Sequence, residues 1–330
     1  MNNSNTVGFD WSKAYRAYII RKRREKARHA VGVILKSVGL LDYGRKIYSR
    51  YRKEQIEVES KKSGRYAEFK IGNYKLRLDR YNLQDALMIG ELRESGGVYE
   101  PEVSSYIIKN LKSEETFMDI GANNGYHTLL AANVVGNGKI ISIEPNPEAF
   151  KRLTSNIELN NLSNVISLNL ALSDNEGKAL LYLDDDVGDA SASLRTNRYS
   201  RPFVEVELKR FDQLFKDETI KMIKMDVEGA EIDIIRGGLE DYTRDHKNVD
   251  IIMEWNPFYR NKEDFDYLSR LFHINLLVLD AELGYKLKEI KEFGSLHDIP
   301  PSVNILLKKR EINAENEISR MAEATGVAKK

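Results

Sequence analysis

Five acids and three glycines carry the chemical signal of this chain. Asp119 lies in a short apolar run that leads into Gly121-Ala122-Asn123-Asn124-Gly125, and Glu144 closes a second apolar run 23 residues past Gly121. Strand, glycine-bearing turn, helical stretch and a second strand ending in an acid form the layout of a nucleoside-binding βαβ unit. An acid at the place of Glu144 can accept from both hydroxyls of a ribose. Farther on, Asp226-Val227-Glu228-Gly229-Ala230-Glu231 follows another apolar run, and Glu254 lies near the end of the next. Open α/β sheets bind ligands beyond the C-terminal ends of their strands, and a carboxylate there can take a proton from a hydroxyl within hydrogen-bond reach.

The nucleoside is not a dinucleotide. Its fingerprint needs a middle glycine so that backbone can approach a pyrophosphate, and Asn123 fills that room with a side chain. Asp119 would also set a negative charge beside the phosphates. The same carboxylate suits an amine or, through water, a sulfonium-bearing amino acid. S-adenosylmethionine has no phosphate, carries a ribose for Glu144, and fits all three observations.

These residues need a parallel sheet to hold them. Strands are expected at 116–120, 139–143, 165–171, 221–225, 249–254, 275–280 and 303–308, and helices at 82–95, 103–111, 125–135, 147–160, 210–216, 230–236 and 263–272. Alternating βα units imply a mostly parallel sheet with helices on both faces. The stretch 283–290 reads as extended chain, and a late strand inserted antiparallel would explain the final pair. Tyr66 to Leu78 alternates around Gly72 and Asn73, a β-hairpin pattern. Residues 12–56 read as helical with Ser12 as cap, and Val31, Ile34, Leu35, Val38 and Leu41 fall on one face. The polar loop 184–199 is long enough to suggest a role in binding a sugar-like substrate, with a disordered surface loop as the plainer alternative.

Composition sets limits. The absence of cysteine excludes disulfides and thiolate chemistry. No apolar run reaches a membrane span and no signal-peptide pattern opens the chain, so a cytoplasmic protein is expected. The formal net charge is zero but unevenly placed. Residues 13–53 hold 14 basic residues against two acids, leaving 37 basic and 49 acidic residues elsewhere. This basic arm invites contact with an anionic membrane surface, placing the protein at the cytoplasmic face; a solvated surface helix is the plainer reading. Against nucleic acid stand the acidic body and the lack of a recognisable RNA-binding module.

The chain resembles the FkbM family of S-adenosylmethionine-dependent methyltransferases. The resemblance is carried by YEPE at 99–102, FMDIGANNGYHT at 117–128, IEPNPEAFKRLTSNIELNN at 143–161, LALSDNEG at 170–177 and IKMDVEGAEIDIIRGG at 223–238. It implies a Rossmann-like class I methyltransferase with a mostly parallel seven-stranded sheet. Residues 1–64 would then be a basic helical extension, 65–96 a hairpin and helix, 97–309 the methyltransferase domain, and 310–330 a polar tail. The resemblance places Asp119, Gly121, Asn123 and Gly125 in the cofactor loop, Glu144 on the ribose and Asn146 beside it. Ala171 and Leu172 would flank the adenine, with Asp174 as a nearby acid, and Asp226 would face the methyl group.

Methyl transfer mainly requires alignment, and an alcohol acceptor also needs a base. Asp226 is the first choice as base or orienter, with Glu228 and Glu254 beside it. The plainer alternatives are Asp226 as a cap for a helix from Ala230, and Glu228 and Glu254 solvated or paired to Lys224. Asp226, Glu254 and Asn256 could hold a divalent cation through oxygen, but the sequence shows no tight acidic cluster and no metal is expected. His127 and His297 are weaker base candidates, for which packing or surface roles are favoured, and Trp255 reads as core or rim. The expected acceptor is a hydroxyl of a sugar, a glycan (including a lipid-linked one) or a secondary metabolite. The alternatives are an RNA or protein methyltransferase, or a cofactor-binding scaffold that recruits a partner.

Overall fold

The computed structural model describes residues 9–20, 50, 54, 57, 58, 61, 64–80, 83–183, 193, 194, 202–257, 259–297 and 303–310. Most of the expected helix beyond residue 20, most of the 184–199 loop and the polar tail from 311 on lie outside the described residues.

Helix α1 (11–20) is capped by Asp10, not by Ser12 as its sequence suggests. Asp10 Oδ1 accepts from the backbone N–H groups of Ser12 and Lys13 at 3.1 and 3.2 Å, which satisfies two donors of the first turn. Trp11 and Ala14, one turn apart, are buried against the body. Gly284 makes room for them: a Cβ there would lie 2.1 Å from Ser105 Oγ and 2.9 Å from the Trp11 ring.

The hairpin forms as expected from β1 (Tyr66–Ile71) and β2 (Tyr74–Asp79). Strand β2 does not end in solvent. The Asn160 side chain bonds both Arg77 N–H and Arg77 C=O, and Asn156 Oδ1 accepts from Asp79 N–H. These bonds blunt an otherwise open edge. Helices α2 (Leu83–Glu94) and α3 (Pro101–Asn110) follow, the latter with proline in its first turn.

The core then alternates through β3 (Phe117–Ile120), α4 (Tyr126–Val135), β4 (Ile140–Ile143), α5 (Pro147–Leu159) and β5 (Val165–Leu168). The single strand expected at 165–171 is broken. After β5 the chain leaves the main sheet, and β6 (Ala171–Ser173), β7 (Gly177–Tyr182) and β8 (Phe203–Arg210) form a separate sheet in the order β6-β8-β7. Next come α6 (Phe211–Phe215), β9 (Met222–Met225), α7 (Glu231–Ile234) running through a π turn into α8 (Glu240–Asp245), and β10 (Asp250–Trp255). The last elements are α9 (Lys262–Leu271), β11 (Phe272–Asp280), β12 (Gly284–Ile290), α10 (Gly294–His297) and β13 (Val303–Lys309).

The main sheet runs β12-β11-β13-β10-β9-β3-β4-β5. All seven expected strands contribute to it, the one expected at 165–171 only through residues 165–168, and β12 adds an eighth at one edge. Strand β13 pairs antiparallel with both β10 and β11, the late insertion that the sequence suggested. Strands β3, β4 and β9 are buried along their whole length, because helices cover both faces. Successive residues feed opposite cores. Phe117, Ile140, Met222 and Ile252 pack with α3 and α4; Met118, Ile141, Ile223 and Met253 pack with Phe211, Ile232 and Phe265. The result is a rigid Rossmann-like frame whose strands β3, β4, β9 and β10 end together.

Candidate active site

A cavity of about 380 Å³ opens where those strands end. The turn after β3 builds its centre. Gly121, Asn123 and Gly125 all take positive φ, 79°, 51° and 90°. At Gly121 no side chain fits, since a Cβ would lie 1.9 Å from the carbonyl oxygen of Asp226. The backbones at the ends of β3 and β9 therefore touch. Gly121, Asn123, Glu144, Asn146, Ala171, Leu172, Asp226, Glu228 and Glu254 all line the cavity. Gly125 does not line it; it precedes α4 as that helix's N-terminal cap residue.

Glu144 is held by backbone. Its Oε2 accepts from Asn123 N–H at 2.7 Å and its Oε1 from Asn146 N–H at 2.9 Å. Each oxygen keeps capacity for another donor, so the carboxylate can accept from two hydroxyls. Burial pushes it up to about 7, opposed by those two N–H groups and Arg152. Asn146 Oδ1 caps α5 by accepting from Glu148 N–H. Leu170, Ala171 and Leu172 give an apolar wall beyond Glu144. Asp174 is exposed and does not line the cavity.

Asp119 departs from expectation. It is 1 % exposed and does not line the cavity. Its Oδ2 accepts from Thr128 Oγ1 at 2.7 Å, while Oδ1 is buried without a hydrogen-bond partner. Burial raises its carboxyl above the usual range, with the Lys224 ammonium opposing. It lies beneath the cavity wall.

The opposite end of the cavity is charged. Lys224, 5 % exposed, lies with its Nζ 3.3 Å from Asp226 Oδ2. The carboxylates of Asp226, Glu100 and Asp119 hold its ammonium more firmly protonated than usual, against the cost of burial. Asp226 does not cap the following helix. Glu231 ties down the turn that leads into that helix by accepting from the Val227 and Gly229 N–H groups, and it pairs with buried Arg260. Oxygen atoms of Asp226, Glu228 and Glu254 lie within 4.8 Å of one another. Folding thus makes the tight acidic cluster that the sequence did not show, and these three could ligate a divalent cation through oxygen. Asn256 is not among the lining residues. Trp255 is core. His127 is not a surface residue: it is 4 % exposed, packs against the Tyr99 and Tyr126 rings and lines the cavity.

The cavity has walls that sequence reasoning did not assign. Tyr18 reaches it from α1, Met88 from α2, Leu277 from β11 and Asn304 from β13. Glu100 lies in the quoted YEPE segment without a role, and its only local signal is the proline that follows it.

Residues 119–287 match the family model described as the methyltransferase FkbM domain. The chain belongs to this family. Among its FkbM relatives, the methyltransferase sdnD of Sordaria araneosa is 29 % identical over 185 residues, 46 % of this chain and 71 % of that protein. The 2-O-methyltransferase NoeI of Sinorhizobium fredii is 28 % identical over 196 residues, covering 51 % and 79 %. The hexuronic acid methyltransferase AglP of Haloferax volcanii is 24 % identical over 165 residues, covering 48 % and 63 %. The protein is an S-adenosylmethionine-dependent methyltransferase. Its FkbM site fits that cofactor: a backbone-aimed acid for the ribose, apolar residues beside it, a turn too filled for a pyrophosphate, and carboxylates in excess of cations for a positively charged ligand.

Proposed function

We propose that the chain methylates a hydroxyl group of a sugar or glycan. The observation that carries this reading is the carboxylate trio Asp226, Glu228 and Glu254, gathered at the ends of β9 and β10 within the cofactor cavity. The bound cofactor supplies an electrophilic methyl on a sulfonium. The residues must then orient an acceptor oxygen and take its proton. Lys224 fixes one oxygen of Asp226, which makes Asp226 the best-placed orienter or base. Glu228 is held by its backbone, its carbonyl accepting from Ser193 Oγ at 2.8 Å. That bond sets Ser193 beside Glu228 at the cavity. Two relatives, one named for 2-O-methylation and one for a hexuronic acid, support a sugar acceptor.

The basic arm belongs to the same proposal. Residues 13–53 carry 14 basic residues, and the described start of that arm is docked beside the cavity, with Tyr18 in its wall. An arm resting on an anionic cytoplasmic membrane face would hold the cavity near a lipid-linked glycan. Among the described residues no helix is long and apolar enough to cross a membrane.

The test is transfer of radiolabelled methyl from S-adenosylmethionine to methyl glycosides of hexoses and of hexuronic acids, with generic RNA in parallel. Label on the sugar that survives mild alkali is a hydroxyl ether and supports the reading. Label lost to alkali is a carboxyl ester, and label on RNA alone points to the nucleic-acid alternative; either outcome refutes it.

A further inference from the structure

Glu100 is held in a left-handed backbone conformation, φ 39° and ψ 67°, which a residue with a side chain adopts at a cost. The surroundings enforce it. Tyr99 N–H donates to Tyr126 Oη at 3.1 Å, Ser104 Oγ donates to Tyr99 C=O at 2.7 Å, and Ser104 N–H donates to Glu100 C=O at 2.9 Å. The constrained turn delivers the Glu100 carboxylate to the cavity wall. There its Oε2 has no hydrogen-bond partner, and neither has His127 Nε2, 3.6 Å away. Two adjacent orphaned polar atoms in a ligand cavity are costly unless a ligand satisfies them.

Their place in the sheet says which part of the ligand. Strand order is β9-β3-β4. Glu144 stands at the tip of β4, on one side of the β3 turn. Glu100 and His127 lie on the other side, within the field of Lys224 at the end of β9. A nucleoside seated on Glu144 and crossing the β3 turn therefore ends at Glu100 and His127. The local charge is also right for an ammonium. Glu100, Asp119 and Asp226 all act on Lys224, the one cation among the described lining residues, and Asp119, the acid that the sequence offered for the amine, is beneath the turn. His127 is kept neutral by burial and by Lys224, so it can present an N–H without adding charge.

We propose that the Glu100–His127 pair receives the amino-acid end of the cofactor, Glu100 Oε2 accepting from its α-ammonium and His127 Nε2 donating to its α-carboxylate. Both are then positioning residues that touch the cofactor. Burial pushes Glu100 up to about 7; Lys224 and the Asn304 amide oppose the rise, and Asp226 and Glu102 reinforce it. Ammonium binding through Glu100 requires the ionised form, so it strengthens as pH rises through that value. Lys224 stays charged and His127 neutral across this range.

The experiment compares two ligands by calorimetry, S-adenosylhomocysteine and 5′-deoxy-5′-methylthioadenosine, which keeps the nucleoside thioether but lacks the amino-acid end. In Glu100→Gln the first should bind about 30-fold more weakly, as expected for a lost hydrogen bond between charged groups, and the second less than about twofold more weakly. In the unaltered protein the ratio of the two affinities should grow about eightfold from pH 6 to pH 7.5. Glu144 affects both ligands and cancels in that ratio. Equal weakening of both ligands would make Glu100 a structural residue and overturn the proposal. A pH-independent ratio in the unaltered protein overturns it too, even if the variant does not fold.

Discussion

Asp85 on α2 offers a test of how the elements before the core serve the cofactor turn. It is 1 % exposed. Its Oδ1 accepts from Asn124 Nδ2 at 2.8 Å and its Oδ2 from Asn156 Nδ2 at 3.1 Å. Asn124 belongs to the cofactor turn, and Asn156 also donates to the Asn124 carbonyl at 2.9 Å. Burial pushes Asp85 up to about 6; the two amides and Arg152 oppose the rise and Asp79 adds to it. A carboxyl raised in the folded state stabilises the protein fully below its unfolded value of 3.8 and loses that contribution as pH rises through about 6. At one unit per 1.36 kcal/mol, the change between pH 4.5 and pH 7 is about 2 kcal/mol.

Asp85→Asn removes this titration and keeps the shape. The expected result, from urea unfolding at the two pH values, is that the unaltered protein gains about 2 kcal/mol over the variant on going from pH 7 to pH 4.5. Asp85→Ala should behave differently. It deprives the Asn124 amide of its acceptor and removes one of two acceptors from Asn156, at a cost of about 2–4 kcal/mol at pH 7. It should also weaken S-adenosylhomocysteine binding, because the turn loses its tether. Parallel stability curves for Asp85→Asn and the unaltered chain from pH 4.5 to pH 7 would refute the claim that Asp85 is ionised at the expense of burial.

Three other outcomes follow from the site. Glu144→Ala should weaken S-adenosylhomocysteine by at least ~30-fold in calorimetry, since two hydroxyl bonds to a charged acceptor are lost; unchanged affinity would remove Glu144 from the ribose. Asp226→Asn should lower turnover on the acceptor found by the glycoside panel about 100-fold or more while cofactor affinity changes little, and equal losses of both would mark it as structural. Flotation on anionic vesicles should fall when Arg21, Lys22, Arg23 and Arg24 are changed to Gln and when salt is raised; flotation insensitive to both would leave the arm a solvated helix.

Much of the frame is legible in the sequence because its signal is local. Strands such as IISI and MIKM are short apolar runs between helical stretches, and both faces are buried. Glu144 is legible because it closes such a run at a fixed distance from a glycine turn. Strand β8 is less so: only Val206 and Leu208 are buried in it, so its alternation reads as polar chain. The break between β5 and β6 is invisible for the same reason, since both halves are apolar and only pairing tells them apart. Tyr18, Met88 and Asn304 enter the cavity from elements far apart in sequence, and no local pattern marks them.

The acids around the turn after β3 show what type and spacing alone leave undecided. Asp119 pairs in register with Ser142 of β4 and with Lys224 of β9. Side chains at one register level of parallel strands point to the same face, so the three form a polar row inside the sheet, joined through Thr128. A row of that kind needs internal partners because water cannot reach it. Asp119 supplies charge to Lys224, which in turn fixes Asp226 at the cavity floor. Asp226 lies one residue past the last paired residue of β9 and escapes the row. Register decides this division of labour, and register is a relation between strands about 100 residues apart. The acid inside the strand becomes part of the scaffold, while an acid on a strained turn, Glu100, is left to meet the ligand.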